Sequence, residues 1–232
     1  MMNIQPIAHF RSPLTTKFGI PRQSGIVSSL RGTIVFDKKY QDPEALRGLE
    51  GFDYIWIIWG FSENVDAKKH STVRPPRLGG NVRQGVFATR SPFRPNNLGL
   101  SSVRLLKINA DSQAGLSIEV EGADLMDGTP VYDIKPYLPE FDSHPYAMAG
   151  FVTTNEWTPL EVTFSTSADT SLLSEADLSV VSQLLSQDPR PHYHTSPDRV
   201  YGMPYNSFDI RFRVVESRVE VVEITESRPI CP

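Results

Sequence analysis

The run DYIWIIWGF, Asp53–Phe61, constrains the fold more than any other stretch of the chain. It is apolar on both faces of an extended backbone, so it is expected to be a fully buried central strand. Around it lie other short runs rich in β-branched and aromatic residues: Ile4–Phe10, Gly32–Phe36, Gly85–Thr89, Leu100–Ile108, Leu116–Glu121 and Val131–Ile134. Clusters of Gly, Pro, Asn and Asp separate them and mark turns. Only Pro43–Leu49 offers a short helix in this region. Strands that do not alternate with helices disfavour a doubly wound nucleotide-binding fold. Neither G-x-G-x-x-G nor G-x-x-x-x-G-K-[ST] occurs.

The pattern changes past Ser143–Trp157, which reads as a linker. Leu160–Ser165 is expected to be a strand. Ser174–Ser186 is expected to be a helix, with Ser174 as its cap and Asp177 as the acidic partner. Leu178, Val181, Leu184 and Leu185 form its apolar stripe. Asp188-Pro189 stops it. Asp209–Val215 and Val219–Ile224 read as a hairpin turned at Glu216-Ser217-Arg218. The expected fold is mainly β: a single small β-barrel over residues 1–145, then a small C-terminal α+β appendage over 146–232.

Cysteine usage and charge bound the setting. The one cysteine, Cys231, excludes a disulfide framework and points to a reduced, cytoplasmic compartment. The opening MMNIQPIAHFRSPLTTKF has no long apolar run, and no stretch approaches the ~20 apolar residues of a membrane span, so no membrane association is expected. The net charge of −4 argues weakly against nucleic acid, but its distribution argues the other way. No Asp or Glu occurs from Met1 to Phe36, nor from Ala67 to Ala110. The first stretch holds Arg11, Lys17, Arg22 and Arg31. The second holds Lys68, Lys69, Arg74, Arg77, Arg83, Arg90, Arg94, Arg104 and Lys107. Meeting in space, the two would form a cationic face that recruits polyanions through counterion release.

Few residues offer covalent or metal chemistry. His192-Tyr193-His194 could set two imidazoles on one strand face, but no third ligand lies nearby and no metal is expected. Cys231 is too terminal to be a convincing nucleophile. What remains is a pair of arginine-bearing loops. VRPPRLGG, Val73–Gly80, places Arg74 and Arg77 around a Pro-Pro. In GVFATRSPFRPNNLGLSSVRL, Gly85–Leu105, Pro92 and Pro95 stiffen the segment that carries Arg90 and Arg94. Arginine on rigid loops suits phosphate and purine recognition by forked hydrogen bonds and stacking; the plainer alternative is a structural loop whose arginines cap carbonyls. ADLMDGTPVYDIKPYLPEFD, Ala123–Asp142, is the acidic counterpart, turning at Asp127-Gly128-Thr129-Pro130. Its carboxylates could hold the ammonium or ribose of a small cationic ligand.

FGIPRQ (Phe18–Gln23), VRPPRLGG, GVFATRSPFRPN, DLMDGTPVYDIKPYLP and DPRPHY (Asp188–Tyr193), in this order, resemble the TrmO (TsaA-like) family. The resemblance spans nearly the whole chain. It implies a tRNA methyltransferase that uses S-adenosylmethionine on a single β-barrel, without a Rossmann domain. The implied acceptor is the exocyclic nitrogen of threonylcarbamoyl-adenosine in the tRNA anticodon loop. The resemblance further implies a homodimer. The cofactor residues it implies are Arg22, Gln23 and Ser24 of the PRQ segment, Ser62 and Glu63 after the aromatic strand, Arg90, Leu100, and the turn Asp124, Leu125, Met126, Asp127. Asp188, Arg190 and Tyr193 of the DPRP segment are implied to face the modified base. Arg74, Arg77 and Arg94 join them as RNA-binding candidates. No catalytic nucleophile is needed for such a transfer. Two rivals remain at this point: a non-catalytic RNA-binding β-barrel, and a methyltransferase acting on a small molecule.

Overall fold

The computed structural model describes residues 3–64, 68–75, 78, 82–110, 115–153, 158–191, 196 and 198–227. Arg77, His192, Tyr193, His194 and Cys231 lie outside the described residues. The chain packs as two compact units, neither of them continuous. The first comprises Met1–Arg11, Thr33–Glu121 and Gly128–Trp157, and the second Ser12–Gly32, Gly122–Asp127 and Thr158–Pro232. Two inner segments, residues 12–32 and 122–127, belong with the C-terminal part.

The first unit is built on β1 (Ala8–Arg11), β2 (Arg31–Phe36), β3 (Tyr54–Gly60), β4 (Thr72–Val73), β5 (Gln84–Gly85), β6 (Leu98–Asn109), β7 (Ser117–Glu121) and β8 (Pro130–Pro136). Six of these close a barrel in the order β1-β2-β7-β6-β3-β8, while β4 and β5 pair as a separate two-stranded ribbon. The expected barrel is therefore present. Its interior holds Ala8, Phe10, Ile34, Ile55, Ile57, Trp59, Val103, Ile118, Val120 and Val131, the alternate positions that a period of two turns inward. Trp59 is the largest of these. Its Nε1 donates to Ser101 Oγ at 2.9 Å, which satisfies both buried polar groups. A Cβ at Gly99 would sit 2.3 Å from the Trp59 ring, so the indole requires glycine at that position.

One expectation is corrected in β3. Only Ile55, Ile57, Trp59 and Gly60 are buried; Tyr54 is exposed, and Trp56 and Ile58 are half-buried. A strand of a closed barrel has one inner face, so the outer apolar residues of this run face outward. A second correction concerns Gly85–Thr89. Its strand ends at Gly85, and Val86–Ala88 forms a 3₁₀ turn instead.

The second unit carries a four-stranded sheet in the order β10-β11-β12-β9, from β9 (Glu161–Phe164), β10 (Tyr201–Tyr205), β11 (Phe208–Val215) and β12 (Arg218–Glu226). Of these, β9 runs parallel to β12, while β10–β11 and β11–β12 are antiparallel. The hairpin turn falls as expected, with Glu216 at φ 55°. The first unit also carries a helical turn, α1 (Pro139–Asp142), and the second carries α2 (Glu175–Ser186). Ser174 Oγ accepts from Asp177 N at 3.1 Å and donates to Asp177 Oδ2 at 2.6 Å, a closed cap at the helix start. The buried face of α2 is Val180, Val181, Leu184 and Leu185. It joins a core with Met203, Ile210, Phe212, Val219 and Val221 from the sheet, and with Leu14, Val27 and Leu30 from the inner segment. Among the described residues no helix is long and apolar enough to cross a membrane.

Candidate functional site

In the second unit, three of the sequence motifs converge. The segment 122–127 is laced to residues 12–32 by main-chain bonds: Gly25 N to Gly122 O at 2.8 Å, Gly122 N to Leu30 O at 2.9 Å and Asp127 N to Leu14 O at 2.8 Å. Asp127 Oδ1 also accepts from Ser12 N at 3.1 Å. The PRQ segment and the DLMD segment are therefore neighbours. The DPRP segment reaches the same place. Arg22 Nη2 donates to the main-chain oxygen of Asp188 at 3.3 Å. Arg190 Nε donates to Asp188 Oδ1 and Oδ2 at 2.9 and 3.1 Å. Asp188 adopts φ 47°, a left-handed conformation that asparagine and aspartate tolerate better than most residues.

Side chains in this cluster differ in what they can offer a ligand. Arg22 is exposed; Gln23, Ser24, Asp124, Met126 and Asp127 are half-buried. Leu125 is buried in the core, so a ligand could use only its main chain. The remaining set combines guanidinium, amide, hydroxyl and two carboxylates.

The first unit holds the other candidates. Ser62 and Glu63 form a 3₁₀ turn, Ser62–Asn64, directly after β3, and both are exposed. That turn is tied to the start of β6: Asn97 Nδ2 donates to Asn64 O at 3.0 Å, and Phe61 N to Asn97 O at 2.9 Å. Leu100 lies two residues into β6 from its start, opposite Ile58 of β3, with its side chain 54% exposed. Arg90 is exposed at the end of the Val86–Ala88 turn. Arg94 is half-buried, and its Nη1 donates to the carbonyls of Thr89 at 3.0 Å and Ser91 at 3.4 Å. It therefore pins the main chain on both sides of Arg90. Arg74 is exposed beyond β4.

The acid-free stretches are distributed unequally. Residues 12–32 fall in the second unit with Asp188, and the rest of the first stretch in the first unit. The whole of the second stretch, Ala67–Ala110, belongs to the first unit. Sequence reasoning passed over two features here. Phe87 stands on the Val86–Ala88 turn with its ring 77% exposed, where a strand reading had given it no special role. Trp56 Nε1 donates to Asp142 Oδ2 at 3.0 Å, and Leu138 N donates to the same oxygen at 2.8 Å. These two bonds, the Leu138 amide first, hold the Asp142 carboxyl below the usual carboxylate range. Among the described residues no group of three or more His, Cys, Asp or Glu is placed to hold a metal.

Two family models match the chain: the tRNA-methyltransferase O N-terminal domain over residues 9–143 and the TrmO C-terminal domain over residues 157–227. A tRNA (adenine(37)-N6)-methyltransferase of Escherichia coli is 38% identical over 224 residues, covering 94% of this chain and 95% of that one. A protein of the same name from Eikenella corrodens is 44% identical over 163 residues, 70% of this chain and 91% of that one. The crystal structure of TrmO from Pseudomonas aeruginosa superposes with a TM-score of 0.78 at 30% identity, covering 97% of this chain and 98% of that one. On the strength of both domain matches and of relatives aligned along nearly its full length, the chain belongs to the tRNA-methyltransferase O family.

Proposed function

We propose that the chain transfers a methyl group from S-adenosylmethionine to the exocyclic nitrogen of threonylcarbamoyl-adenosine in the tRNA anticodon loop. The observation that carries this reading is the convergence of the PRQ, DLMD and DPRP segments, through Gly25–Gly122 and Arg22–Asp188, in a member of this family. The donor set fits the cofactor. Carboxylates of Asp124 and Asp127 suit an ammonium or ribose hydroxyls, while Arg22 suits a carboxylate and Gln23 and Ser24 suit a purine edge. Ser62, Glu63, Arg90, Leu100 and the main chain of Leu125 and Met126 complete the proposed cofactor residues. When bound, S-adenosylmethionine supplies a methyl on a sulfonium, already a good leaving group.

The work left to the chain is therefore orientation and the removal of one proton from the acceptor nitrogen. Cations on Arg74, Arg77 and Arg94 would draw the RNA phosphates, and Asp188, Arg190 and Tyr193 would face the modified base. An anticodon-loop base is already partly unstacked, so presenting it costs little. In this reading the protein acts as a homodimer in the cytoplasm, where its substrate lies. Relatives named as methyltransferases do not favour a non-catalytic RNA-binding barrel.

Incubation with threonylcarbamoylated tRNA and methyl-labelled S-adenosylmethionine tests the reading directly. Mass spectrometry of the digested nucleosides is expected to find the label on the threonylcarbamoyl-adenosine. Label on no nucleoside, or on a different base, overturns it. Light scattering at micromolar protein tests the dimer, which a monomer mass would exclude.

A further inference from the structure

We propose that Phe87 is a stacking platform for an unpaired base of the RNA substrate, set in the acid-free, arginine-bearing stretch of the barrel unit. The proposal rests on the methyltransferase reading and adds to it a residue that contacts RNA without charge.

Phe87 is held on a fixed turn with its ring 77% exposed. Val86, one residue before it, is buried and anchors the turn. Val86 N donates to Ser71 O at 2.9 Å, and Val86 O accepts from Thr89 N at 3.2 Å and from Thr89 Oγ1 at 2.8 Å. The main chain on both sides of the ring is thus committed. A phenyl ring exposed on such a turn forgoes burial that folding would otherwise favour, and the main chain that presents it is already ordered.

Its surroundings select the partner. The β4–β5 ribbon pairs Thr72 with Gly85 and Val73 with Gln84, so Arg74 and Arg83 leave the same end of it. Arg83 Nη1 donates to Thr72 Oγ1 at 2.9 Å, which ties this arginine to the ribbon. Arg90 follows Phe87 by three residues, and Arg74, Arg83 and Arg90 are all exposed. No Asp or Glu occurs in this stretch of sequence, from Ala67 to Ala110. An apolar protein partner would have to strip water from these guanidinium groups. Single-stranded RNA instead brings phosphates to the cations and a base π-face to the ring.

The test measures binding of a synthetic anticodon stem-loop, with adenosine immediately 3′ of the anticodon, by fluorescence anisotropy at about 50 and 200 mM salt. Phe87→Ala is expected to weaken binding by about 5- to 100-fold, and by a similar factor at both salts, because stacking carries no counterion release. Phe87→Trp should bind about as well as the parent. Phe87→Leu, which keeps apolar area but no π-face, should behave like Phe87→Ala. Arg83→Glu should weaken binding mainly at low salt. Affinity of Phe87→Ala for S-adenosylmethionine, measured by calorimetry without RNA, should stay at the parent value.

Parent-like RNA binding by Phe87→Ala or Phe87→Leu overturns the inference. So does a parallel loss of cofactor affinity, which would assign the ring to the cofactor, or dissociation of a parent dimer, which would assign it to self-contact. A parent protein that binds the cofactor but no RNA would instead defeat the methyltransferase reading, and the inference with it.

Discussion

Two arginine-bearing segments of this protein are stiffened in different ways. In the barrel unit, Arg94 reaches back to two neutral carbonyls, those of Thr89 and Ser91. In the second unit, Arg190 closes an ion pair on Asp188, with both partners 19% exposed, and Arg22 takes the carbonyl of the same aspartate. The first clamp uses main-chain acceptors that would otherwise seek water. The second spends a carboxylate to hold a left-handed residue in place. Arg90 stands exposed in the first segment, whereas in the second the exposed Arg22 itself joins the clamp on the Asp188 carbonyl. Arginines that look alike in sequence thus divide by which main chain they hold and by how far they are exposed.

That division makes its strongest prediction at Arg90. Arg90→Ala is expected to lower kcat/KM for methyl transfer by about 100-fold or more, a loss of at least about 2.7 kcal/mol in transition-state stabilisation. Its thermal unfolding should move by no more than about 0.5 kcal/mol. Equal turnover in a folded Arg90→Ala protein would remove this residue from the site. Next comes Arg190→Ala, which leaves the Asp188 carboxylate short of a half-buried partner. It should destabilise the protein by about 1.5–3 kcal/mol in denaturant unfolding. Arg94→Ala should cost less, about 1–2 kcal/mol, because only hydrogen bonds to neutral groups are lost. If Arg94→Ala proves the more damaging to stability, the contrast between the two clamps is reversed.

A smaller effect concerns the second unit at high pH. Tyr205 is buried, and its hydroxyl donates to Asp177 Oδ1 at 2.7 Å. Burial first, and then the Asp177 carboxylate, push the phenol above its ordinary range. The neutral phenol is therefore favoured in the fold, so the associated stability is complete below about pH 10 and is lost as the pH rises beyond it. The decline should approach about 1.4 kcal/mol per pH unit, and Tyr205→Phe should flatten it. An unchanged slope in Tyr205→Phe would locate the alkaline weakness elsewhere.

Much of this architecture was legible in the residues. Runs rich in β-branched and aromatic residues, set off by turn residues, located most barrel strands, and the Ser174–Asp177 pair marked the start of α2 to within a residue. Where the reading failed, a local interaction outweighed the pattern. Gly85–Thr89 has strand composition, but the Thr89 hydroxyl bonds to Val86 O and closes a turn. Strand β10 escaped notice because Gly202 and Pro204 interrupt its composition. In β3 the run of apolar residues suggested burial on two sides, yet closure of the barrel leaves Tyr54 exposed. The site motifs were visible as words in the sequence. Their convergence was not, because main-chain bonds such as Gly25 to Gly122 depend on no side chain and leave no compositional trace.

The least legible feature was the membership of residues 12–32 in the second unit. Leu14, Val27 and Leu30 are scattered without period, yet they are buried in a core whose strands lie far downstream. During translation these residues are made about 125 residues before Thr158. At roughly 5–20 residues per second, they wait on the order of ten seconds for the rest of their core. The nascent chain must therefore carry an unfinished apolar segment through the translation of most of the barrel, and a chaperone that shields early hydrophobic segments would have its longest hold there.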